Sequence, residues 1–278
     1  MLFIPIAGEL NKIYKNNEFN KIESVIQNNS LPNKVNLLKN IVVSNQKIAT
    51  LNNLETDLFD FIKRSTNLSV SILDLSSKYP DVAIQLLRSL YETGVLFRVW
   101  IQSITIKNDL NQFLEIGERF RDSAIIEEYS LYKYSNSKEL IDLKAKYPYS
   151  NKEKSLNSNY DWIKPVFTKQ ELKHLNKMAT PSFRDLIYKS ANTDFIYRDN
   201  IGLYEDSSSI IHYSGLSKVV LKNISESDVK QYLSIFIKAI VIDYLLLLEN
   251  LYPLKNKDIE KFNLFSNRLR KSIIKNWT

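Results

Sequence analysis

Apolar residues recur every three or four positions along most of the chain, the spacing of one face of an α-helix. The stretch 81–104 is apolar around most of a helical circumference, so it is predicted to be central. No strand-like alternation is longer than four residues, and the sequence has no internal repeat. The pattern therefore predicts an all-α fold.

Local chemistry supports several of the predicted helix boundaries. Thr168 is followed three residues later by Glu171, the spacing of a capping box in which each side chain bonds the other residue's backbone N–H. Other candidate starts are Asp81 after Pro80, Pro181 in an early helical position, and Ser225 or Ser227. The predicted helices span 9–28, 34–48, 51–64, 81–104, 109–134, 168–177, 181–191, 194–213, 226–251 and 256–276.

The predicted organisation is a single helical bundle over 51–278, with an appended N-terminal helical element over 1–50. The stretch 135–160 is rich in Ser, Asn and Lys, and we expect an exposed polar insertion there. The first residues carry neither a basic leader nor a long apolar run, so no signal peptide is predicted and a cytoplasmic location is expected.

The most apolar region, 235–248, is predicted to be a buried core helix. Lys238 and Asp243 interrupt it, and no run approaches the ~20 apolar residues that a membrane-spanning helix needs. No stable membrane insertion is therefore expected.

Composition narrows the chemistry further. The chain has no cysteine, which excludes disulfides, zinc–thiolate sites and thiol catalysis. It has 5 glycines, against roughly 19 at the average usage of about 7%, which argues against folds built on glycine-rich phosphate loops. The net charge of +7 is spread along the chain. It indicates a mixed solvated surface, weak attraction to a polyanion such as RNA, or attraction to an anionic membrane.

Arg88 and Glu92 are charged residues in the most apolar predicted helix. Because they are four residues apart, they share one face. One interpretation is an ion pair that anchors a neighbouring loop; the other is a polar pocket in which the guanidinium holds a phosphate bidentately. The missing side chain of Gly94 is expected to allow another helix to approach closely.

A second polar stripe lies in the predicted helix 194–213. Tyr204, Ser208 and His212 are spaced by four residues and would stack along one side of that helix. His212 is either a core histidine bonded to its helical neighbours or an imidazole that binds a ligand or exchanges protons near neutral pH. The other histidine, His174, lies among lysines and is expected at the surface.

Residues of about 81–215 resemble the bacterial domain of unknown function 5677 family. The matching features are Leu-Leu-Arg-Ser-Leu-Tyr-Glu at 86–92, Glu118-Arg119-Phe120 with Tyr129, Trp162, and Tyr204-x-x-x-Ser208-Ser209-x-x-His212. Members of that family are similar to helical proteins of the higher eukaryotes and prokaryotes nucleotide-binding (HEPN) type, many of which cut RNA in toxin–antitoxin or phage-defence systems. The resemblance implies an all-α fold and a polar pocket built from Arg88, Glu92, Tyr204, Ser208 and His212.

The chain departs from the RNA-cutting members in one respect. Those proteins carry an arginine a few residues before the histidine. The residues there are Glu205, Asp206 and Ser207, none of them basic. Arg198 would lie about 21 Å from His212 along an unbroken helix at 1.5 Å per residue, so it reaches the histidine only if the helix breaks, for example near Gly202. Arg88 supplies the missing charge if its helix touches the one that carries Tyr204.

Two function classes follow. In the first, the protein is a binding or regulatory module of a bacterial defence or toxin-type system that acts through the polar pocket. In the second, it is a metal-independent RNA endonuclease. His212 then takes the proton of a ribose 2′-hydroxyl, Arg88 stabilises the phosphate charge, Tyr204 or Ser208 positions the scissile group, and Glu92 orients Arg88. No cofactor or metal site is predicted, because the acids and the two histidines show no recognised ligand spacing.

The expected partners are RNA and a protein of the same defence system, with a homodimer as a further hypothesis. The last predicted helix, 256–276, has a basic and an apolar face. It either packs on the bundle or contacts RNA or a membrane surface.

Overall fold

The structure is a computed structural model that describes residues 28–45, 53–131, 138, 160–174, 181–211 and 224–251. In these ranges the chain is all-α, and no strand occurs. The predicted fold class is therefore confirmed. The helices predicted at 9–28 and 256–276 and the insertion at 135–160 lie outside the described residues, apart from residues 28, 138 and 160.

Nine α-helices and one 3-10 helix follow one another in the described ranges. They are α1 (Leu31–Asn45), α2 (Asn53–Leu75), α3 (Pro80–Thr105), α4 (Leu110–Leu131), the 3-10 helix (Asp161–Val166), α5 (Lys169–His174), α6 (Phe183–Ser190), α7 (Ile196–Asp199), α8 (Ile201–Ile211) and α9 (Glu226–Leu251). The 3-10 helix is an element that the apolar pattern did not predict.

Helix α2 continues to Leu75, whereas the apolar pattern predicted an end at 64. The added turns contain hydroxyl residues that bond back along the helix. Ser65 Oγ donates to the Phe61 carbonyl at 2.8 Å, and Ser69 Oγ donates to the Ser65 carbonyl at 2.8 Å. Because these hydroxyls are satisfied within the helix, they are buried without breaking it.

Two predicted capping interactions are confirmed. The Thr168 N–H donates to Glu171 Oε2 at 2.6 Å, and the Glu171 N–H donates to Thr168 Oγ1 at 3.1 Å. At the start of α9, the Asp228 N–H donates to Ser225 Oγ at 3.2 Å, so Ser225 rather than Ser227 is the cap. Hydrogen bonds from Ser225 hold the pKa of the Asp228 carboxyl below its usual value.

Two other predicted helix starts are wrong by one or two residues. Pro181 precedes α6, and Ser182 is its N-cap, with the Asp185 N–H donating to Ser182 Oγ at 3.3 Å. Asp81 lies inside the first turn of α3, which already begins at Pro80. In α6 the hydroxyl of Ser182 accepts the capping hydrogen bond, which Pro181 cannot do. In α3 the first helical position is taken by Pro80, which has no N–H that would need a partner there.

The single helix predicted over 194–213 is divided in two at Asn200. Asn200 has φ −107° and ψ 22°, outside the helical region, and separates α7 from α8. Its side-chain Nδ2 donates to the Ile196 carbonyl at 2.6 Å. The Asn200 side chain thus bonds the carbonyl of the first residue of α7, which the backbone N–H of Asn200 would bond in a continuous α-helix, and so competes with continuation of the helix.

The described residues group into two compact units. The first contains the residues up to Phe97 and those from Asp194 onward, and the second contains Arg98–Thr193. Helix α3 contributes residues to both. The domain boundary expected at residue 50 remains a prediction.

The core of the first unit includes α1, α2 and α9, which pack against one another. Phe97 stacks on Tyr244 of α9 with ring centroids 4.3 Å apart, and the Tyr244 hydroxyl donates to the Leu58 carbonyl at 2.8 Å. Residues 236–248 of α9 are almost entirely buried, which confirms the predicted core helix. One described helical segment, Glu226–Leu248, is long and apolar enough to span a membrane by composition, with 72% of its most apolar window buried within the protein.

The second unit is organised around Trp100. Its indole Nε1 donates to the Phe113 carbonyl at 3.0 Å, and its ring stacks on Phe113 at 5.2 Å and meets the edge of Trp162 at 6.5 Å. The Lys189 ammonium lies 2.6 Å from Glu171 Oε1. Burial raises the pKa of the Glu171 carboxyl, but the hydrogen bonds from Lys189 and Thr168 and the charge of Lys189 together outweigh it, so the pKa is lowered.

Candidate functional site

Helix α3 places Arg88 and Glu92 at the edge of its buried surface. Leu87, Leu90 and Tyr91 are fully buried and fix the rotation of the helix about its axis. The side chains of Arg88 and Glu92 keep 17% and 31% of their area exposed. The pair is therefore partly shielded from water but open to a ligand.

The guanidinium of Arg88 is held from two directions. Its Nε donates to Glu92 Oε1 at 2.9 Å, and its central carbon lies 4.7 Å from the centroid of the Tyr204 ring on α8. Neither terminal nitrogen donates a hydrogen bond to a residue that the structure describes. The Glu92 carboxylate and the face of the Tyr204 ring thus orient the guanidinium, while the N–H groups of its two terminal nitrogens can donate to a ligand. We call Arg88, Glu92 and Tyr204 the Arg88 site.

Tyr91 supports this site from the core. It is fully buried, its ring stacks on Tyr204 at 6.3 Å, and it meets Phe236 of α9 edge-on at 5.4 Å. Its hydroxyl donates to the Tyr197 carbonyl at 2.6 Å. Burial raises the pKa of Tyr91 well above its usual value, and Tyr204 and Glu205 raise it further. The phenol therefore stays protonated and keeps its role as a donor.

Gly94 lies one turn beyond Leu90 and allows the close approach that its missing side chain predicts. A Cβ atom at this position would lie 2.7 Å from Cζ of Tyr197 on α7. The Tyr197 ring is buried edge-to-face against Tyr91 at 5.6 Å. The expectation that another helix packs against Gly94 is confirmed.

The structure brings together three of the five predicted site residues: Arg88, Glu92 and Tyr204. Ser208 lies one turn further along α8, is partly exposed, and its side chain has no hydrogen bond to a described residue. His212 lies outside the described residues, so its place in the pocket remains a prediction. His174 is the last residue of α5, and its side chain also lies outside the described part of the chain.

The helix that carries Arg88 touches the helix that carries Tyr204, as the charge-substitution hypothesis requires. Ser207, which stands where the resemblance to RNA-cutting proteins would place an arginine, is fully buried and donates to the Tyr204 carbonyl at 3.1 Å. Arg198 lies on the separate helix α7, exposed, 4.2 Å over the Phe195 ring and 3.2 Å from Asp199. Its charge is therefore engaged locally.

Sequence reasoning missed the roles of Tyr91 and Tyr197. Tyr91 lies on the stripe formed by Leu87, Leu90 and Gly94, so the pattern predicts that it is buried but not which residues it contacts. Tyr197 stands next to the exposed Arg198 and carries no local signal of burial, although it is fully buried. Its position depends on the turn at Asn200.

No group of three or more His, Asp or Glu side chains that could hold a metal ion occurs in the described part of the chain. No family model, curated protein or solved structure matches this chain.

Proposed function

We propose that this protein is a HEPN-like binding or regulatory module of a bacterial defence or toxin-type system, and that the Arg88 site binds an oxyanion such as an RNA phosphodiester. The observation that carries the proposal is the arrangement of the Arg88 guanidinium. Its Nε bonds Glu92 and its plane lies over the Tyr204 ring, while its two terminal nitrogens donate to no described residue. A planar fork of N–H donors matches the oxygen spacing of a phosphate, so one arginine can make two parallel hydrogen bonds.

Orientation by Glu92 and Tyr204 strengthens this argument. A free arginine side chain loses rotational freedom when it binds a phosphate, whereas Arg88 is already fixed by its Nε hydrogen bond and by the ring beneath it. Partial burial lowers the local dielectric and strengthens each charge-assisted hydrogen bond. The formal charge of the Arg88–Glu92 pair is zero, so the affinity depends on directed hydrogen bonds and on the overall charge of +7.

Arg88→Lys tests the proposal. Lysine keeps the charge but loses the fork, so binding of a short fluorescein-labelled single-stranded RNA is expected to weaken by about tenfold, equivalent to about 1.4 kcal/mol. Fluorescence anisotropy at fixed salt measures the affinity.

Arg198→Lys is the matched control, since Arg198 also lies over an aromatic ring beside a carboxylate. Its affinity is expected to stay within about twofold of wild type, because Arg198 lies outside the Arg88 site and lysine keeps its exposed positive charge. Equal effects of the two substitutions would contradict the proposal.

The second candidate function is the metal-independent RNA endonuclease. The contact between Arg88 and Tyr204 supports this second function. A nuclease of this type needs a cation beside the helix that carries the Tyr204-x-x-x-Ser208 pattern, and the contact places the Arg88 guanidinium of α3 there. Ser208 is partly exposed and near enough in sequence to His212 to share its substrate. The proposed partners remain RNA, a protein of the same defence system and a second copy of the chain. The proposed location is the cytoplasm.

Cleavage assays with a chelator present separate the two candidates. A nuclease of this kind keeps cutting RNA without metal, and His212→Ala lowers the rate by at least about a hundredfold, because general-base catalysis contributes about that much or more. A binding module retains RNA affinity but releases no fragments. Cleavage by His212→Ala at the wild-type rate would eliminate the proposed mechanism.

A further inference from the structure

The Arg88 site holds a hydrogen-bond acceptor beside its donors. Glu92 bonds Arg88 through one carboxylate oxygen, Oε1, which accepts from the Arg88 Nε at 2.9 Å. The other oxygen, Oε2, accepts from no residue that the structure describes, and the Glu92 side chain keeps 31% of its area exposed. The carboxylate therefore has lone pairs left for a donor that a ligand supplies.

The contacts that orient the guanidinium also hold this carboxylate in place. The hydrogen bond from Nε to Oε1 joins residues four apart on α3, and the guanidinium carbon lies 4.7 Å from the centroid of the Tyr204 ring on α8. The site thus presents the terminal N–H donors of Arg88 and an anionic acceptor of Glu92 side by side, both partly exposed.

A ribonucleotide carries the complementary pair of groups. Its 3′-phosphate has acceptor oxygens, and its 2′-hydroxyl, on the adjacent ribose carbon, has a hydrogen to donate. A deoxyribonucleotide has the phosphate but lacks the hydroxyl. We propose that Glu92 Oε2 accepts a hydrogen bond from the 2′-hydroxyl of the nucleotide whose phosphate Arg88 binds, so that Glu92 determines specificity for RNA over DNA. This inference rests on the proposed function, because Arg88 must hold the phosphate.

The Glu92 carboxylate acts on specificity in two ways. It lies beside the bound phosphate and repels it, and partial exclusion of water strengthens this repulsion. A 2′-hydroxyl offsets the repulsion by a charge-assisted hydrogen bond, which is roughly twice as strong as a neutral one. DNA meets the repulsion without the hydrogen bond. Glu92 therefore favours the ribose strand and disfavours the deoxyribose strand.

The affinities of the full chain for three fluorescein-labelled single strands test the inference. The strands are oligouridylate, its 2′-fluoro counterpart and its 2′-deoxy counterpart, and fluorescence anisotropy at fixed salt measures each affinity. The 2′-fluoro strand keeps the sugar pucker of RNA and the phosphates but has no 2′ hydrogen to donate. The wild type is expected to bind oligouridylate at least about tenfold more tightly than either other strand, as a hydrogen bond to a charged group allows.

Glu92→Gln is expected to reduce this preference to within about threefold, because only a neutral hydrogen bond remains available. The glutamine carbonyl must face the Arg88 Nε–H, since two N–H groups do not bond each other. Its NH₂ group then takes the place of Oε2 and cannot accept from a hydroxyl.

Glu115→Gln is the matched control. Glu115 is exposed and also pairs with an arginine four residues away, Arg119, so the substitution removes the same charge from the same kind of ion pair. It is expected to keep the wild-type preference for oligouridylate. Neither substitution is expected to unfold the protein, because solvent-exposed ion pairs of this spacing contribute little to stability.

Two results would overturn the inference: a wild type that binds the 2′-fluoro strand as tightly as oligouridylate, or a preference for oligouridylate that persists in Glu92→Gln. Arg88→Lys separates these results from a failure of the proposed function. It is expected to weaken binding of all three strands, because all three carry phosphates. Affinities of Arg88→Lys equal to those of wild type would contradict phosphate binding at Arg88, whereas weakened binding together with an unchanged preference in Glu92→Gln would contradict only the role of Glu92.

Discussion

Replacing Gly94 with alanine is expected to destabilise the protein by about 1–3 kcal/mol, as overpacked core positions do. The new Cβ would lie 2.7 Å from Tyr197 Cζ, closer than non-bonded carbon atoms tolerate. The Tyr197 ring is confined by Tyr91 on one side and stacks on Phe236 at 6.1 Å on the other, so it has little room to move. The steric cost exceeds the gain of about 1 kcal/mol that alanine normally brings to a helix.

Gly202→Ala is the matched control. Gly202 is also helical, but a Cβ there meets nothing within 4 Å. Its stability is expected to stay the same or to rise by up to about 1 kcal/mol. Urea denaturation with an unchanged slope measures both differences. If Gly94→Ala were as stable as wild type, the packing of α7 against α3 would be wrong.

Tyr91→Ala is expected to cost about 3–5 kcal/mol, the usual range for deletion of a buried aromatic ring. The substitution also removes the ring that stacks beneath Tyr204 and leaves the Tyr197 carbonyl without its phenol donor. Because Tyr204 in turn positions Arg88, RNA affinity is expected to fall even at a temperature where the variant is folded. Denaturation and anisotropy on the same sample give the two values.

Two further variants separate stability from binding. Tyr244→Ala removes another buried tyrosine of the same unit, whose hydroxyl donates to the Leu58 carbonyl, so it is expected to lose similar stability but retain RNA affinity. Tyr91→Phe removes only the hydrogen bond to the Tyr197 carbonyl, so the free energy of unfolding is expected to fall by about 1–3 kcal/mol. The ring beneath Tyr204 remains in this variant. Loss of RNA affinity in Tyr244→Ala equal to that in Tyr91→Ala would show that the effect is merely one of stability.

The helices that the sequence predicted well are those whose formation depends on local chemistry. The capping box of Thr168 and Glu171 and the cap at Ser225 involve residues three apart, so spacing alone is sufficient. The break at Asn200 was missed because an asparagine amide either caps a helix end or faces solvent, and the sequence does not distinguish these outcomes.

The candidate site was predictable only in part. Arg88 and Glu92 are four residues apart on one helix, and their ion pair follows from that spacing. The contact between Arg88 and Tyr204 joins residues far apart in the sequence, and it depends on the packing of the Tyr91 ring against the rings of Tyr204 and Phe236.

The most direct test of the central claim is a side-chain NMR titration of arginine Nε and Nη resonances with RNA, assigned by comparison with Arg88→Lys. We expect the Nη resonances of Arg88 to shift, and their protons to exchange more slowly, as RNA binds. Its Nε resonance should change little, because that N–H remains bonded to Glu92. Arg88 would not bind the RNA phosphate as proposed if its Nη resonances did not respond while RNA binds. A large shift of its Nε resonance, showing that the hydrogen bond to Glu92 is lost, would also contradict the proposal.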